Sequence, residues 1–275
     1  MSSERERFDA FYGRKWSRHG GFWADYYPPD QRVYAAAVYG RRNDVIVQEA
    51  GSRTGAVLDL GCGVGDLSYL LAKSADRVVA SDISSENVRR ASGNLAQADI
   101  GAAVVQSEGE HLPFPDRTFD LVVVADVIEH VASIAATLEE VQRVLRPGGR
   151  MICATPVRAT LQGWRLADWV TRKLARPLSS PPLEWRNPDV FESFLSPREL
   201  RSAIVRAGLR PIRFRRVCFY PAPETPGVFG AVMARVYQRS HGHGFERTAA
   251  RVMRVFAMIE RWGFLNQKQL WVAEK

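Results

Sequence analysis

Val57-Leu58-Asp59-Leu60-Gly61-Cys62-Gly63-Val64-Gly65-Asp66-Leu67 is a short apolar run, begun at Ala56, that ends in three alternating glycines. A helical pattern follows through Ser68, Leu70, Leu71 and Ala72. The spacing predicts a buried strand, a tight turn and the first turn of a helix. Gly61, Gly63 and Gly65 carry no Cβ, so the backbone there can turn sharply and approach a ligand closely. Many α/β folds have a glycine-rich turn, and the spacing says more than the glycines do. Dinucleotide sites read G-x-G-x-x-G, the third glycine packing helix on strand beneath a pyrophosphate. Here the order is G-x-G-x-G, and Asp66 stands where that third glycine would fall. A carboxylate at a helix N-terminus suits the helix dipole but repels a pyrophosphate. The ligand is expected to be neutral or cationic at this end.

Working outward, a second strand is predicted over residues 77–81 and closes on Asp82, 17 residues past Gly65. A carboxylate at a strand end there can accept hydrogen bonds from both hydroxyls of a ribose. It could equally cap the helix expected over residues 84–97. A third strand over residues 102–106 leads into Ser107-Glu108-Gly109-Glu110-His111-Leu112-Pro113-Phe114, where Glu108 and the N–H of Gly109 are candidates for an adenine edge. Residues 119–125 are almost uniformly apolar, as a strand buried on both faces should be. They run into Asp126-Val127-Ile128-Glu129-His130-Val131. A helix with Leu138, Val141, Val144 and Leu145 on one face follows and is expected to stop at Arg146-Pro147-Gly148-Gly149. A fifth strand over residues 150–154 ends at Thr155-Pro156. Strands alternating with helices predict a doubly wound, mostly parallel sheet with its ligand at the strands' carboxyl ends.

Upstream, Asp30 begins a helix expected to run to about Ala50 and stop at Gly51. Before it lie Phe8, Phe11, Tyr12, Trp16, Phe22, Trp23, Tyr26 and Tyr27, a helical extension or lid broken at Pro28-Pro29. The 275 residues suffice for one elaborated domain. Cys62, Cys153 and Cys218 show neither metal-ligand spacing nor a paired framework, which fits a reducing cytoplasm. No apolar run approaches ~18 residues, so no membrane-spanning segment is expected. Charge is uneven. Residues 1–150 carry 17 Lys+Arg against 21 Asp+Glu, and residues 151–275 carry 21 against 9, a net of +12. An anionic substrate, a membrane surface or nucleic acid would suit that excess, as would a plain solvated basic face.

The set D-L-G-C-G-V-G, Asp82, E-G-E-H-L-P-F, F-D-L-V-V-V-A-D-V-I-E-H-V and L-R-P-G-G resembles the class I S-adenosylmethionine (SAM)-dependent methyltransferases, within them the small-molecule branch with the ubiquinone-biosynthesis O-methyltransferases. The core likeness covers roughly residues 50–156. Phe191-Glu192-Ser193-Phe194-Leu195-Ser196-Pro197-Arg198-Glu199-Leu200 resembles that branch's F-x-x-P-x-E-L helix, and residues 220–229 its late loop more loosely. The resemblance implies a Rossmann-like, seven-stranded α/β sheet whose last strand, residues 269–273, is antiparallel. It divides the chain into an N-terminal helical extension (1–50), a SAM-binding core (51–156), a helical insertion over the substrate (157–210) and C-terminal strands and helix (211–275). It also implies that Gly61, Cys62, Gly63 and Gly65 pass under the methionine part of SAM with Asp59 behind the turn. Asp82 and Ile83 would lie at the ribose, Glu108 and Gly109 at the adenine, and Ala125 beside the sulfonium. Glu108 is one methylene longer than the commoner Asp.

Asp126, Glu129 and His130 have i, i+3, i+4 spacing, which aligns them if a helix has begun by Asp126. Two carboxylates and an imidazole make a corner for a divalent metal, Mg or Zn. The resembled branch shows E-x-x-E-H here and is similar to metal-dependent enzymes. The other reading is a helix start with no metal and His130 facing the substrate, where it is the best-placed general base, ahead of His111. Residues 157–180 set Leu161, Trp164, Leu166, Trp169, Val170 and Leu174 among Arg158, Arg165, Arg172, Lys173 and Arg176. That pattern suits a lid helix, or a peripheral contact with an anionic bilayer that admits a lipophilic acceptor. Residues 245–262 repeat it. The leading expectation is a cytoplasmic methyltransferase acting on a hydroxyl oxygen of a small aromatic or lipophilic molecule. The alternatives are an RNA methyltransferase, for which no separate RNA-binding module is visible, a non-catalytic SAM-binding protein, and, more remotely, an NAD oxidoreductase.

Overall fold

A computed structural model describes residues 6, 8–9, 29–52, 54–157, 193–217 and 268–275, with side chains in the first helix from Tyr39 onward. The aromatic cluster from Phe11 to Tyr27, the basic segment over residues 158–180, Phe191 and Glu192, Cys218, residues 220–229 and residues 245–262 lie outside the described residues.

Helix α1 (Pro29–Ala50) ends where the sequence places its stop, with Gly51 at φ +86°. Then come β1 (Thr54–Leu60), α2 (Asp66–Leu71), β2 (Ala75–Asp82), α3 (Ser85–Gln97), β3 (Ala103–Gln106), β4 (Phe119–Ala125), α4 (Ile134–Val144) and β5 (Leu145–Pro156). Helix α5 (Pro197–Arg206), β6 (Arg210–Val217) and β7 (Lys268–Glu274) complete the described elements. The strands form one seven-stranded sheet in the order β3-β2-β1-β4-β5-β7-β6. Strands β1 to β5 pair in parallel, and β7 lies antiparallel between β5 and β6.

The unbroken apolar character of β4 has a direct cause, because both faces of the sheet are covered. Leu121 and Val123 pack with Val45 and Ile46 of α1, whereas Val122 and Val124 pack with Leu138 and Val141 of α4 and Leu200 and Ile204 of α5. Helix α5 is closed by a reciprocal cap in which Ser196 Oγ accepts from the Glu199 N–H and Glu199 Oε2 accepts from the Ser196 N–H.

Two expectations need correction. The helix expected to continue through Leu145 to Arg146-Pro147-Gly148-Gly149 stops at Val144, and β5 begins at Leu145. Pro147 disfavours helical backbone at Arg146 and supplies no N–H. Residues 146–149 instead bulge between the Phe119–Leu145 and Leu121–Arg150 pairings. The bulge is held by Lys275 backbone hydrogen bonds to Gly148 and Gly149 and by an Arg146–Asp120 ion pair at 2.7 Å. The second correction concerns residues 126–133, which are not helical, since α4 starts only at Ile134 with Ser133 as its cap.

Candidate active site

The turn after β1 is fastened to the tip of β2. The N–H groups of Gly61 and Cys62 donate to the Ser81 carbonyl at 2.7 and 2.9 Å, and the Gly63 N–H donates to Asp82 Oδ2 at 2.9 Å. At Gly61, φ is +73° and a Cβ would fall 2.1 Å from Val127 Cγ2, so the loop after β4 leaves room only for glycine. At Gly63, φ is +55° and a Cβ would meet nothing within 4 Å, so backbone is bare toward open space there. Asp59 is buried under the turn and accepts the Ser68 hydroxyl at 2.5 Å. Burial pushes its carboxyl up to about 6, against the pull of that hydrogen bond. Cys62 turns its side chain back among Ala80 and Ala91, and burial lifts its thiol well above the ordinary range. Only its backbone is available to a ligand.

Asp82 ties the cradle together. Its Oδ1 accepts from the Ser84 N–H at 2.9 Å and from Asn87 Nδ2 at 3.1 Å, while Oδ2 holds Gly63. The cap of α3 is Ser84, whose Oγ accepts from the Asn87 N–H, so the capping role the sequence allows for Asp82 is filled by its neighbour. A carboxylate has about four acceptor positions, and three are used internally. Burial raises the Asp82 carboxyl, with the three hydrogen bonds opposing. Beside it opens a cavity of about 200 Å³ lined by Ile83, Gln106, Ser107, Glu108 and His111. Gln106 Nε2 donates to the Ile83 carbonyl at 2.9 Å, and Glu108 bridges to His111. Gly109 packs on α4, where an added Cβ would meet Thr137 at 3.1 Å. The lining offers a base and a sugar hydrogen-bond partners and, among the described residues, presents no Lys or Arg to a phosphate. SAM, which has no phosphate, fits this donor and acceptor set.

The third part of the site follows β4. Ala125 ends the strand, and Asp126 takes φ +57°, a backbone region that Asp tolerates better than most residues. Both carboxylate oxygens of Asp126 accept from Lys268 Nζ at 2.5 Å, and Oδ2 also accepts from Arg42 Nη1 at 2.7 Å. Burial alone would raise this carboxyl, but the Lys268 and Arg42 charges outweigh it and hold it below the usual range. Glu129 is 2% exposed, its Oε2 accepts the Thr155 hydroxyl at 2.9 Å, and its carbonyl accepts the Ser193 N–H. Burial, and then the Asp126 charge, push Glu129 up to about 7. His130 lies edge-on to Phe8, with ring centres 6.4 Å apart. His111 is elsewhere, exposed beside Glu108 in the cavity after β3.

The structure thus brings Asp126, Glu129 and His130 together in a turn, not along one helix face. Their fit to a metal fails on the same geometry. Two cations already hold Asp126, a hydroxyl and a protonation near neutrality hold Glu129, and no group of three metal-ligating side chains is assembled among the described residues. Sequence reasoning missed Arg42, Lys268, Thr155 and Gln106. Gln106 had a signal, being the last residue of a strand whose end faces the ligand. Arg42 and Lys268 had none, because they are 84 and 142 residues from Asp126.

Comparison with known proteins agrees with this geometry. A model of the methyltransferase domain family matches residues 58–153. The chain is 28% identical over 228 residues to a ubiquinone biosynthesis O-methyltransferase of Cereibacter sphaeroides, covering 80% of this chain and 87% of that one. A second such enzyme, from Parvibaculum lavamentivorans, is 32% identical over 167 residues, covering 61% of this chain and 63% of its relative. Among solved structures, a SAM-dependent methyltransferase from Methanosarcina mazei superposes with a TM-score of 0.54 at 20% identity, covering 84% and 96% of the two chains. The cyclase SpnF superposes with a TM-score of 0.57 at 17% identity, covering 98% and 91%. The structural likenesses establish the fold, and a cyclase among them shows that this fold does not by itself fix the chemistry. Fold, cradle and sequence likenesses agree: the chain carries a methyltransferase domain over residues 58–153 and resembles the class I SAM-dependent ubiquinone-biosynthesis O-methyltransferases.

Proposed function

We propose that the chain moves the methyl group of SAM to a hydroxyl oxygen of a small aromatic or lipophilic metabolite. The observation that carries this reading is the row of features along the carboxyl edge of β3, β2, β1 and β4. In that order stand the cavity at Ile83 and Glu108, the Asp82 carboxylate, the bare backbone at Gly63 and the Ala125–His130 turn. They match adenine, ribose, methionine and acceptor in sequence. The likeness to two named O-methyltransferases supports oxygen as the atom methylated.

Bound SAM supplies an electrophilic methyl and a sulfide leaving group. The chain supplies alignment and a proton acceptor. Asp82 keeps one acceptor position for the ribose, and Gly61, Gly63 and Gly65 let the backbone pass close beneath the methionine. His130 takes the hydroxyl proton as the acceptor oxygen bonds to the methyl carbon and the carbon–sulfur bond breaks. Imidazole suits that task because its unprotonated ring nitrogen can accept the proton. Phe8 stands edge-on to the ring. Acceptor entry is assigned to the Trp- and Arg-rich segment over residues 157–180 on its sequence pattern.

Transfer of labelled methyl from SAM into an extract of the producing cells tests this reading. The expected product is a methyl ether identified by mass spectrometry and NMR. Label on nitrogen, label in the RNA fraction, or SAM binding with no labelled product would each overturn it.

A further inference from the structure

We propose that Lys268 is the resident cation of this site, its ammonium holding with Arg42 the carboxylate that a divalent ion would need, so that the enzyme neither binds nor requires a metal. The inference takes its setting beside the SAM cradle from the preceding reading, but its test needs no acceptor molecule.

Three observations converge. Lys268 Nζ contacts both oxygens of Asp126 at 2.5 Å, and Arg42 adds a third contact at 2.7 Å. The Lys268 and Arg42 side chains are only 9% and 10% exposed, so this is an interior arrangement, not a pair of mobile surface arms. The remaining partners of the sequence-predicted metal corner are also committed. Thr155 donates to Glu129 at 2.9 Å, the Glu129 carbonyl accepts from Ser193, and the His130 ring packs on Phe8.

Charge decides between the two cations. A divalent ion on Asp126 would be driven within a few ångströms of a buried ammonium and a buried guanidinium, where repulsion is weakly screened. An ammonium needs no ligand set of fixed geometry, and three donors on a flexible stem let it meet both carboxylate oxygens. Lys268 reaches Asp126 from the first residue of β7, which pairs with Pro156 at the end of β5. The last strand of the sheet therefore fixes the turn that carries His130. Lys268 acts through Asp126 and is a positioning residue.

The test uses the full-length protein. After dialysis against a chelator, metal content, SAM affinity by calorimetry and a Co²⁺ titration followed by visible absorption are measured on wild type, Lys268→Met and Lys268→Arg. Wild type and Lys268→Arg are expected to carry no stoichiometric metal, give no Co²⁺ absorption bands and bind SAM equally before and after chelation. Lys268→Met, which keeps the stem and removes the charge, is expected to gain Co²⁺ bands, because Asp126 then keeps Arg42 alone against the ion. A metal that survives dialysis of wild type, Co²⁺ bands in wild type, or a folded Lys268→Met that stays silent to Co²⁺ would overturn the proposal. If circular dichroism shows Lys268→Met unfolded, the wild-type metal content and Co²⁺ titration still decide. A failure of SAM binding in every sample would instead count against the methyltransferase reading.

Discussion

Between Gly61 and Glu108 the ligand-facing parts are bare backbone at Gly63, one carboxylate already anchored by three hydrogen bonds, and a cavity with no Lys or Arg among its described lining residues. Between Ala125 and His130 the site is framed by charged side chains from α1, β7 and the turn itself, with a hydroxyl from β5. The first region is a cradle made by chain geometry, and it suits a cofactor of fixed shape. The second is held by long-range charge pairing between α1, β7 and the turn after β4. The difference teaches where each kind of function resides: cofactor recognition in the backbone, acceptor chemistry in the assembled charges.

If that division is right, the two regions separate under mutation. The largest effect is expected for His130→Ala, which should lower kcat by roughly 10²–10⁴-fold, the usual contribution of a positioned base, with SAM affinity unchanged by calorimetry. Equal losses in rate and affinity would merge the two regions. Asp82→Ala should do the reverse, weakening SAM by roughly 100-fold. It also strips partners from the Gly63 and Ser84 N–H groups and from Asn87, at about 1–3 kcal/mol for each buried group left unpaired, so a lower Tm is expected alongside.

Acidity offers a third probe. In the unfolded chain Glu129 titrates near its ordinary 4.5, whereas burial and the neighbouring Asp126 charge raise it to about 7 in the folded chain. Across that window the folded state keeps a proton the unfolded state has lost, so this group makes stability fall as pH rises. Asp126 is shifted the other way, and its contribution is lost only at acid pH, below the ordinary 3.8. Glu129→Gln should therefore flatten the decline between pH 4.5 and 7 and leave the variant more stable by roughly 1–3 kcal/mol at alkaline pH. An unchanged profile in urea titrations would mean that Glu129 is ionised in the fold. The smallest change is Thr155→Val, expected to cost about 1 kcal/mol through the lost hydrogen bond to Glu129, with SAM affinity intact.

The cradle was readable because its parts are local. The strand, the glycine turn and Asp82 lie within one strand–helix–strand unit, and their residue types answer directly to backbone need: no side chain fits at Gly61, and a carboxylate at Asp82 meets orphan N–H groups. The burial of β4 on both faces was equally plain from its unbroken apolar run. What was not legible came from pairings between distant segments. The i, i+3, i+4 spacing of Asp126, Glu129 and His130 suggested a helix, but Asp126 adopts positive φ and two remote cations take its carboxylate. Strand β6 was hidden by Arg210, Arg213, Arg215 and Arg216, which suit an exposed sheet edge better than a buried strand pattern. The Leu145–Gly149 segment read as a helix end because a strand that begins on a bulge has no periodic signature.

Calorimetric titration of SAM into wild type and Asp82→Asn, with NADH as the competing ligand, bears most directly on the cradle. A single SAM site that weakens by roughly tenfold in Asp82→Asn, with no heat from NADH, is the expected result. Equal SAM affinity in the two proteins, or NADH displacing SAM, would show that the glycine turn and Asp82 do not hold this cofactor.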